Sequence, residues 1–142
     1  MMISTRGRYA LRVLIDLAEH QNGKYIPMKT VAERQNISLK YIERIMPLLT
    51  KGNLVEGQHG KGGGYRLMPE PETCRVGNIL RLTEKDLAPV ACLGGDAAPC
   101  PRASQCRTLP MWERFYQMTN DYFDNITLAD LMQKETLPDY SI

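Results

Sequence analysis

The sequence predicts a mainly α chain with a small β-hairpin, and three observations carry that prediction. Three segments between Arg6 and Lys51 repeat apolar residues at the helical period. A glycine-rich stretch, QHGKGGG, divides two short β-prone runs, and a strongly apolar helical segment begins at Met111. Three helices followed by a hairpin make a winged helix-turn-helix, here continued into a long C-terminal helix.

Each element has its own signal. From Arg6 to Glu19, Ala10, Val13, Leu14, Leu17 and Ala18 fall on one helical face, with Ser4 or Thr5 as N-cap. Pro27 precedes KTVAERQ and suits the first turn of a second helix, while Asn36 suits a short turn. A third helix begins after Ser38, a natural N-cap, and ends at Gly52, a natural C′ residue. Inside it, Pro47 has no N–H for the carbonyl of Glu43, which predicts a kink or distortion. Leu54 and Val55 before the glycines, and Tyr65, Arg66 and Leu67 after them, are the two strands. A short helix is expected over Arg75 to Leu82, an aperiodic loop from Glu84 to Pro110, a helix from Met111 to Phe123, and a last short helix in NITLADLM. The domain plan is residues 1–83 as the winged helix-turn-helix, 84–110 as a cysteine-containing sensor loop, and 111–142 as the long helix and tail.

Composition narrows the function. The chain has 142 residues, 43% hydrophobic and 24% charged, which suits one compact domain or a small domain with an oligomerisation element and excludes a large multi-domain enzyme. No run approaches the roughly 18 apolar residues of a membrane span, and charges interrupt the apolar N-terminus, so a soluble cytoplasmic protein without a membrane partner is expected. The net charge of +2 hides an asymmetry. Residues 1–66 hold 11 Lys and Arg against 5 Asp and Glu, whereas residues 67–142 hold 7 against 11. A +6 half joined to a −4 half points to a polyanion met by the first half alone.

Projected at 100° per residue, the third helix separates into two faces. Lys40, Glu43, Arg44 and Lys51 lie together, and Leu39, Ile42, Ile45, Met46 and Leu49 lie opposite. One face can pack on the first two helices while Lys40, Tyr41, Glu43 and Arg44 enter a major groove. Arg44 suits guanine O6 and N7, and Glu43 suits cytosine N4. Glu43 also repels phosphate, so it is expected to sharpen discrimination more than affinity. The glycine run lacks the G-x-x-x-x-G-K-[ST] order of a phosphate loop and leads into a strand, so a hairpin tip carrying His59, Gly60 and Lys61 to DNA is the better reading. Thr5, Arg6 and Arg8, at the start of the first helix, complete the candidate DNA-contacting set.

Cys92, Cys100 and Cys106 place three thiols within 15 residues among glycines and prolines. Thiolates suit zinc or an iron–sulfur cluster, and the absence of a C-x2-C knuckle favours the cluster. A disulfide switch and unligated thiols remain alternatives. The fourth position is open: His20 and His59 read as surface residues, Asp96 as a solvated loop aspartate, and Cys74 as a small packed apolar residue. No nucleophile–base pair or paired carboxylate accompanies the thiols, so neither an enzyme nor a small-molecule substrate is expected.

STRGRYALRVLIDLA, ISLKYIERI, HGKGGGYRL, the three-cysteine loop and NITLADL occur together in one order, and in this the chain resembles the Rrf-type winged helix-turn-helix regulators, the group containing the iron–sulfur regulator IscR and the nitric-oxide-sensing NsrR. The resemblance covers nearly the whole chain. It implies a homodimeric bacterial transcription factor on a palindromic double-stranded operator, with a [2Fe–2S] or [4Fe–4S] cluster held by Cys92, Cys100 and Cys106. It implies base reading by Ser38, Lys40, Tyr41, Glu43 and Arg44, and a wing of His59, Gly60 and Lys61. The segment with Met111, Trp112, Phe115, Met118 and Tyr122 would cross its two-fold mate. Leu109 stands where the IscR branch has a histidine, Arg8 where the NsrR branch has an acid, and His59 where an arginine is common at the wing tip.

Overall fold

The computed structural model describes residues 2–132; residues 133–142, the rest of the expected C-terminal tail, lie outside the described residues. Ser4 caps α1 (Thr5–Glu19), its Oγ accepting from the Gly7 amide at 3.1 Å. Pro27 stands one place before the expected position, as the N-cap of α2 (Met28–Gln35), and Asn36 ends that helix at a left-handed φ of 53°. Ser38 caps α3 (Leu39–Lys51) by accepting from the Tyr41 amide.

α3 runs through Pro47 without a break, with the proline on its exposed face. Gly52 is not the left-handed residue: its φ is −82°, and Asn53 takes the positive φ of 60°. At 52 the crowding is steric instead: a Cβ there would lie 2.4 Å from Leu82 Cδ1, so a larger residue requires the half-buried Leu82 side chain to move.

The wing is β1 (Val55–Gln58) antiparallel to β2 (Gly64–Leu67), with Val55 opposite Leu67 and Glu56 opposite Arg66. Ile26 adds a single bridge to Tyr65 on the far edge, exchanging N–H···O bonds of 2.8 and 2.9 Å. That approach requires Gly64, whose φ is 145° and whose Cβ would meet the Ile26 carbonyl oxygen at 2.2 Å. After β2 come α4 (Val76–Glu84), an irregular stretch with two short 3-10 turns, α5 (Leu109–Asp124) and α6 (Leu128–Met132).

One apolar core unites α1, α2, α3, the wing, α4 and α6. Val13, Leu14, Leu17, Val31, Ile42, Ile45, Leu49 and Leu128 are fully buried in it. Each such side chain contributes about 1.5–3 kcal/mol relative to exposure, and together they hold α3 against α1 and α2. A second cluster of Val76, Leu80 and Leu87 packs with Tyr116 and Phe123, joining α4 to α5 at the point where the cysteine loop departs. No helix among the described residues is long and apolar enough to cross a membrane.

A buried ion pair fixes α1 against α2. Asp16 is fully buried and accepts from Arg34 Nε at 3.2 and 3.0 Å, Arg34 Nη2 at 2.7 Å and Gln35 Nε2 at 2.9 Å. Burial pushes its carboxyl up, but the hydrogen bonds from Arg34 and Gln35 and the charges of Arg34 and His20 outweigh that and hold it below 3.8.

Candidate nucleic-acid interface and cysteine loop

The side chains at the start of α3 divide as the helical projection requires. Ile42, Ile45, Met46 and Leu49 are buried, and Lys40, Glu43 and Arg44 are exposed, with no hydrogen bond or ion pair among the described residues. Leu39 is the exception to the apolar face: at the first helical position it is 37% exposed. Tyr41 is half-buried, packing edge-on against Tyr9 of α1 with ring centroids 5.2 Å apart.

That contact shows which part of α1 stands beside the exposed start of α3. Thr5, Arg8, Tyr9 and Arg12 share one face at helical spacing. Arg8 Nη2 donates to Thr5 Oγ1 at 3.0 Å, and the Arg12 guanidinium lies 5.3 Å from the Tyr9 ring centroid while also bonding Gln35. Tyr9 and Arg12 follow Thr5 and Arg8 at helical spacing, so this neighbourhood can be read from the sequence. Arg6 points elsewhere, its Nε and Nη2 donating to the Thr83 carbonyl of α4 at 3.1 and 2.8 Å.

At the wing, His59, Gly60 and Lys61 are exposed at the tip, where Gly60 and Gly62 take φ of 88° and 77°. An open cleft bounded by Thr50, Gln58, His59 and Tyr65 separates the end of α3 from the hairpin. The base of the wing is braced by Glu56, which accepts from the Tyr25 hydroxyl at 2.5 Å and from Arg66 Nη2 at 3.0 Å. The Arg66 guanidinium also lies over the Tyr25 ring, 4.7 Å from its centroid.

The cysteine loop is built from local turns. Cys92 and Cys100 are exposed and Cys106 half-buried, all three as free thiols. Hydrogen bonds within residues 86–106 join positions at most nine apart, the longest being from the Gly95 amide to Asp86 Oδ2. Cys106 Sγ lies 3.5 Å from Thr108 Oγ1, and that hydroxyl, with the amides of Thr108 and Leu109, holds the thiol below its ordinary range. Among the described residues no three His, Cys, Asp or Glu side chains converge as a metal site would. The donor set suits a thiolate-bound cluster in kind, three soft sulfurs on a loop held by short-range bonds, but the thiols are not gathered. Leu109 offers no donor, and the His20 ring is hydrogen-bonded to the Asp16 carbonyl. Cys74 is buried, and desolvation pushes its thiol up to about 11, as a packed core cysteine requires.

The apolar residues of α5 do not all turn inward. Met111, Phe115, Met118 and Tyr122 are between 43% and 58% exposed and follow one another at i, i+4, i+7 and i+11, whereas Trp112 is half-buried. These four residues form an exposed apolar stripe along α5.

Residues 3–134 match the family described as "Rrf2: Iron-dependent Transcriptional regulator". The HTH-type transcriptional regulator IscR of Vibrio campbellii is 33% identical over 134 residues, covering 94% of this chain and 78% of the relative. Among solved structures, T. potens IscR aligns with a TM-score of 0.73 at 30% identity over 97% of this chain and 93% of that one. CymR, the global cysteine regulator of B. subtilis, aligns with a TM-score of 0.74 at 32% identity over 93% and 96%. These relatives are regulators rather than enzymes, and they share the winged helix architecture described above. The chain therefore belongs to the Rrf2 family of DNA-binding transcriptional regulators.

Proposed function

We propose that this regulator acts in the cytoplasm as a homodimer on a palindromic operator, with its affinity set by the state of the Cys92–Cys106 loop. The observation that carries the DNA reading is the start of α3, where Lys40, Glu43 and Arg44 are unpaired and exposed on a helix whose opposite face is locked in the core. Arg44 donates to guanine and Glu43 accepts from cytosine in the major groove, Tyr41 stands beside them against Tyr9, and His59, Gly60 and Lys61 approach the adjacent backbone or minor groove. Thr5 and Arg8 face phosphate from the start of α1. The α5 stripe of Met111, Phe115, Met118 and Tyr122, with Trp112 behind it, pairs with that of a second copy.

Cys92, Cys100 and Cys106 would hold an iron–sulfur cluster, with a fourth ligand from outside the loop. When bound, such a group supplies a redox-active, labile centre sensitive to oxidation, nitric oxide or cluster supply. The chain's part is to draw three thiols together, which rearranges a loop anchored at one end by Leu87 and at the other by α5. Because α5 carries the dimer stripe, that rearrangement alters the separation of the two recognition helices.

A second reading, thiol oxidation without a cluster, is favoured by the exposed, ungathered thiols and by the likeness to the cysteine regulator CymR. Iron, sulfide and zinc per chain after anaerobic purification separate the two. For the DNA reading, selection from a random duplex pool followed by footprinting is the test. Two half-sites about one helical turn or a multiple apart are expected; a single unpaired footprint would refute the dimer.

A further inference from the structure

The first turn of α1 is held from outside the helix-turn-helix. The Ser4 amide and hydroxyl both donate to the Glu84 carboxylate, the hydroxyl at 2.8 Å. One residue away, the Arg6 guanidinium grips the Thr83 carbonyl with two donors. The packing is equally close: a Cβ on Gly7 would lie 3.0 Å from Thr83 Oγ1 and 3.3 Å from Glu84 Cδ. The partners are 77 and 80 residues apart in sequence, so this clasp adds a tertiary hold to the local cap that the Ser4 hydroxyl already makes with the Gly7 amide. Its two sides have different neighbours. On α1 the turn continues into Thr5 and Arg8, on the same face as the Tyr9 that packs against Tyr41. On α4 the chain leaves the helix at Lys85, at a positive φ of 69°, and Asp86 immediately begins the cysteine loop by accepting from the Ala88 and Gly95 amides.

We propose that the Thr83–Glu84 clasp is the joint between the cysteine loop and the DNA-facing end of α1, which makes Glu84 and Ser4 positioning residues for DNA binding. Glu84 does not touch DNA. It acts by fixing the turn from which Thr5 and Arg8 approach phosphate, as an anion at the positive end of α1. With the clasp open, that turn frays and its phosphate contact is lost, while base reading from α3 is unchanged. The inference rests on the DNA reading above, and the two fail differently.

The test compares the full-length chain with E84Q, S4A and S4T, using a duplex selected from a random pool by the unchanged protein. Affinity is measured against salt, and hydrogen exchange is followed at residues 4–8. Affinity for E84Q and S4A is expected to fall about tenfold, and the salt slope by about 1, the signature of one lost phosphate contact. The ratio of selected to scrambled duplex is expected to stay unchanged. S4T, which keeps the hydroxyl, rescues both. Faster exchange confined to residues 4–8 supports the clasp; a salt slope unchanged in both E84Q and S4A, or an S4T as weak as S4A, overturns it. Absence of salt-dependent DNA binding by the unchanged chain would overturn the DNA reading and the clasp with it.

Discussion

Replacing Arg34 with methionine removes the partner of a carboxylate that has no access to water. Asp16 is fully buried, and three of its four close side-chain hydrogen bonds come from Arg34. Breaking a buried pair from one side typically costs about 3–5 kcal/mol because a charge is left without compensation. Here Gln35 still donates to Oδ2 and the Arg34 side chain is 32% exposed, so water can enter; the expected loss is about 2–4 kcal/mol. At roughly 2–4 °C per kcal/mol for a chain of this size, the melting temperature should fall by roughly 5–15 °C. The pH dependence has a definite sign. The folded-state carboxyl lies below 3.8, so its stabilising effect is complete above that value and is lost as pH falls through the folded-state value. In R34M the main opposing influence on burial is gone and the carboxyl rises, so the loss is largest near neutral pH and shrinks as pH falls and Asp16 takes up a proton. Circular dichroism melts between pH 3 and 8 measure both effects. The double variant D16L/R34M, which replaces the pair with apolar side chains, should regain at least half of the loss. A loss below about 1 kcal/mol in R34M, or a double variant as unstable as R34M, would show that Arg34 does not compensate a buried charge.

Further outcomes follow from the interface. R44A should cost about 1–3 kcal/mol on the selected duplex and relax base preference at one position of each half-site, whereas K61A should weaken all duplexes alike and lower the salt slope by about 1; anisotropy titrations on a panel of duplexes separate the two. The double variant F115D/M118D puts two charges into the exposed α5 stripe, and sedimentation should show monomers where the unchanged chain shows dimers, with secondary structure retained because both positions face outward. G64A forces a Cβ toward the Ile26 carbonyl at a φ that L side chains rarely adopt, so it should free the wing from its edge bridge and reduce DNA affinity at least tenfold, with amide exchange rising at Ile26 and Tyr65.

What was legible in the sequence was local. Helical period, caps at Ser4 and Ser38, and the glycine turn each depend on residues a few places apart, and α1, α3 and the hairpin stand where those signals put them. Cys74 was legible as core for the same reason, as a small apolar residue among apolar neighbours. Asp16 was not, because a carboxylate on the buried face of α1 makes sense only once Arg34 and Gln35 arrive from α2. The role of Arg6 was hidden in the same way. Its charge is read from the sequence alone, but its hydrogen bond to a carbonyl 77 residues away appears only in the fold. Pro47 lies on the exposed face of α3, while the opposite face of the same helix is held in the core.

Control of DNA affinity by the cysteine loop is open to one direct titration. The chain is purified without oxygen, one portion is reconstituted with ferrous iron and sulfide, and both portions are titrated against the selected duplex at one salt concentration. The two affinities are expected to differ by about tenfold or more, within the usual range of coupling between two sites, with the difference abolished when Cys92, Cys100 and Cys106 are changed to serine. Equal affinities in the two portions, with iron and sulfide shown to be bound in one of them, would contradict it.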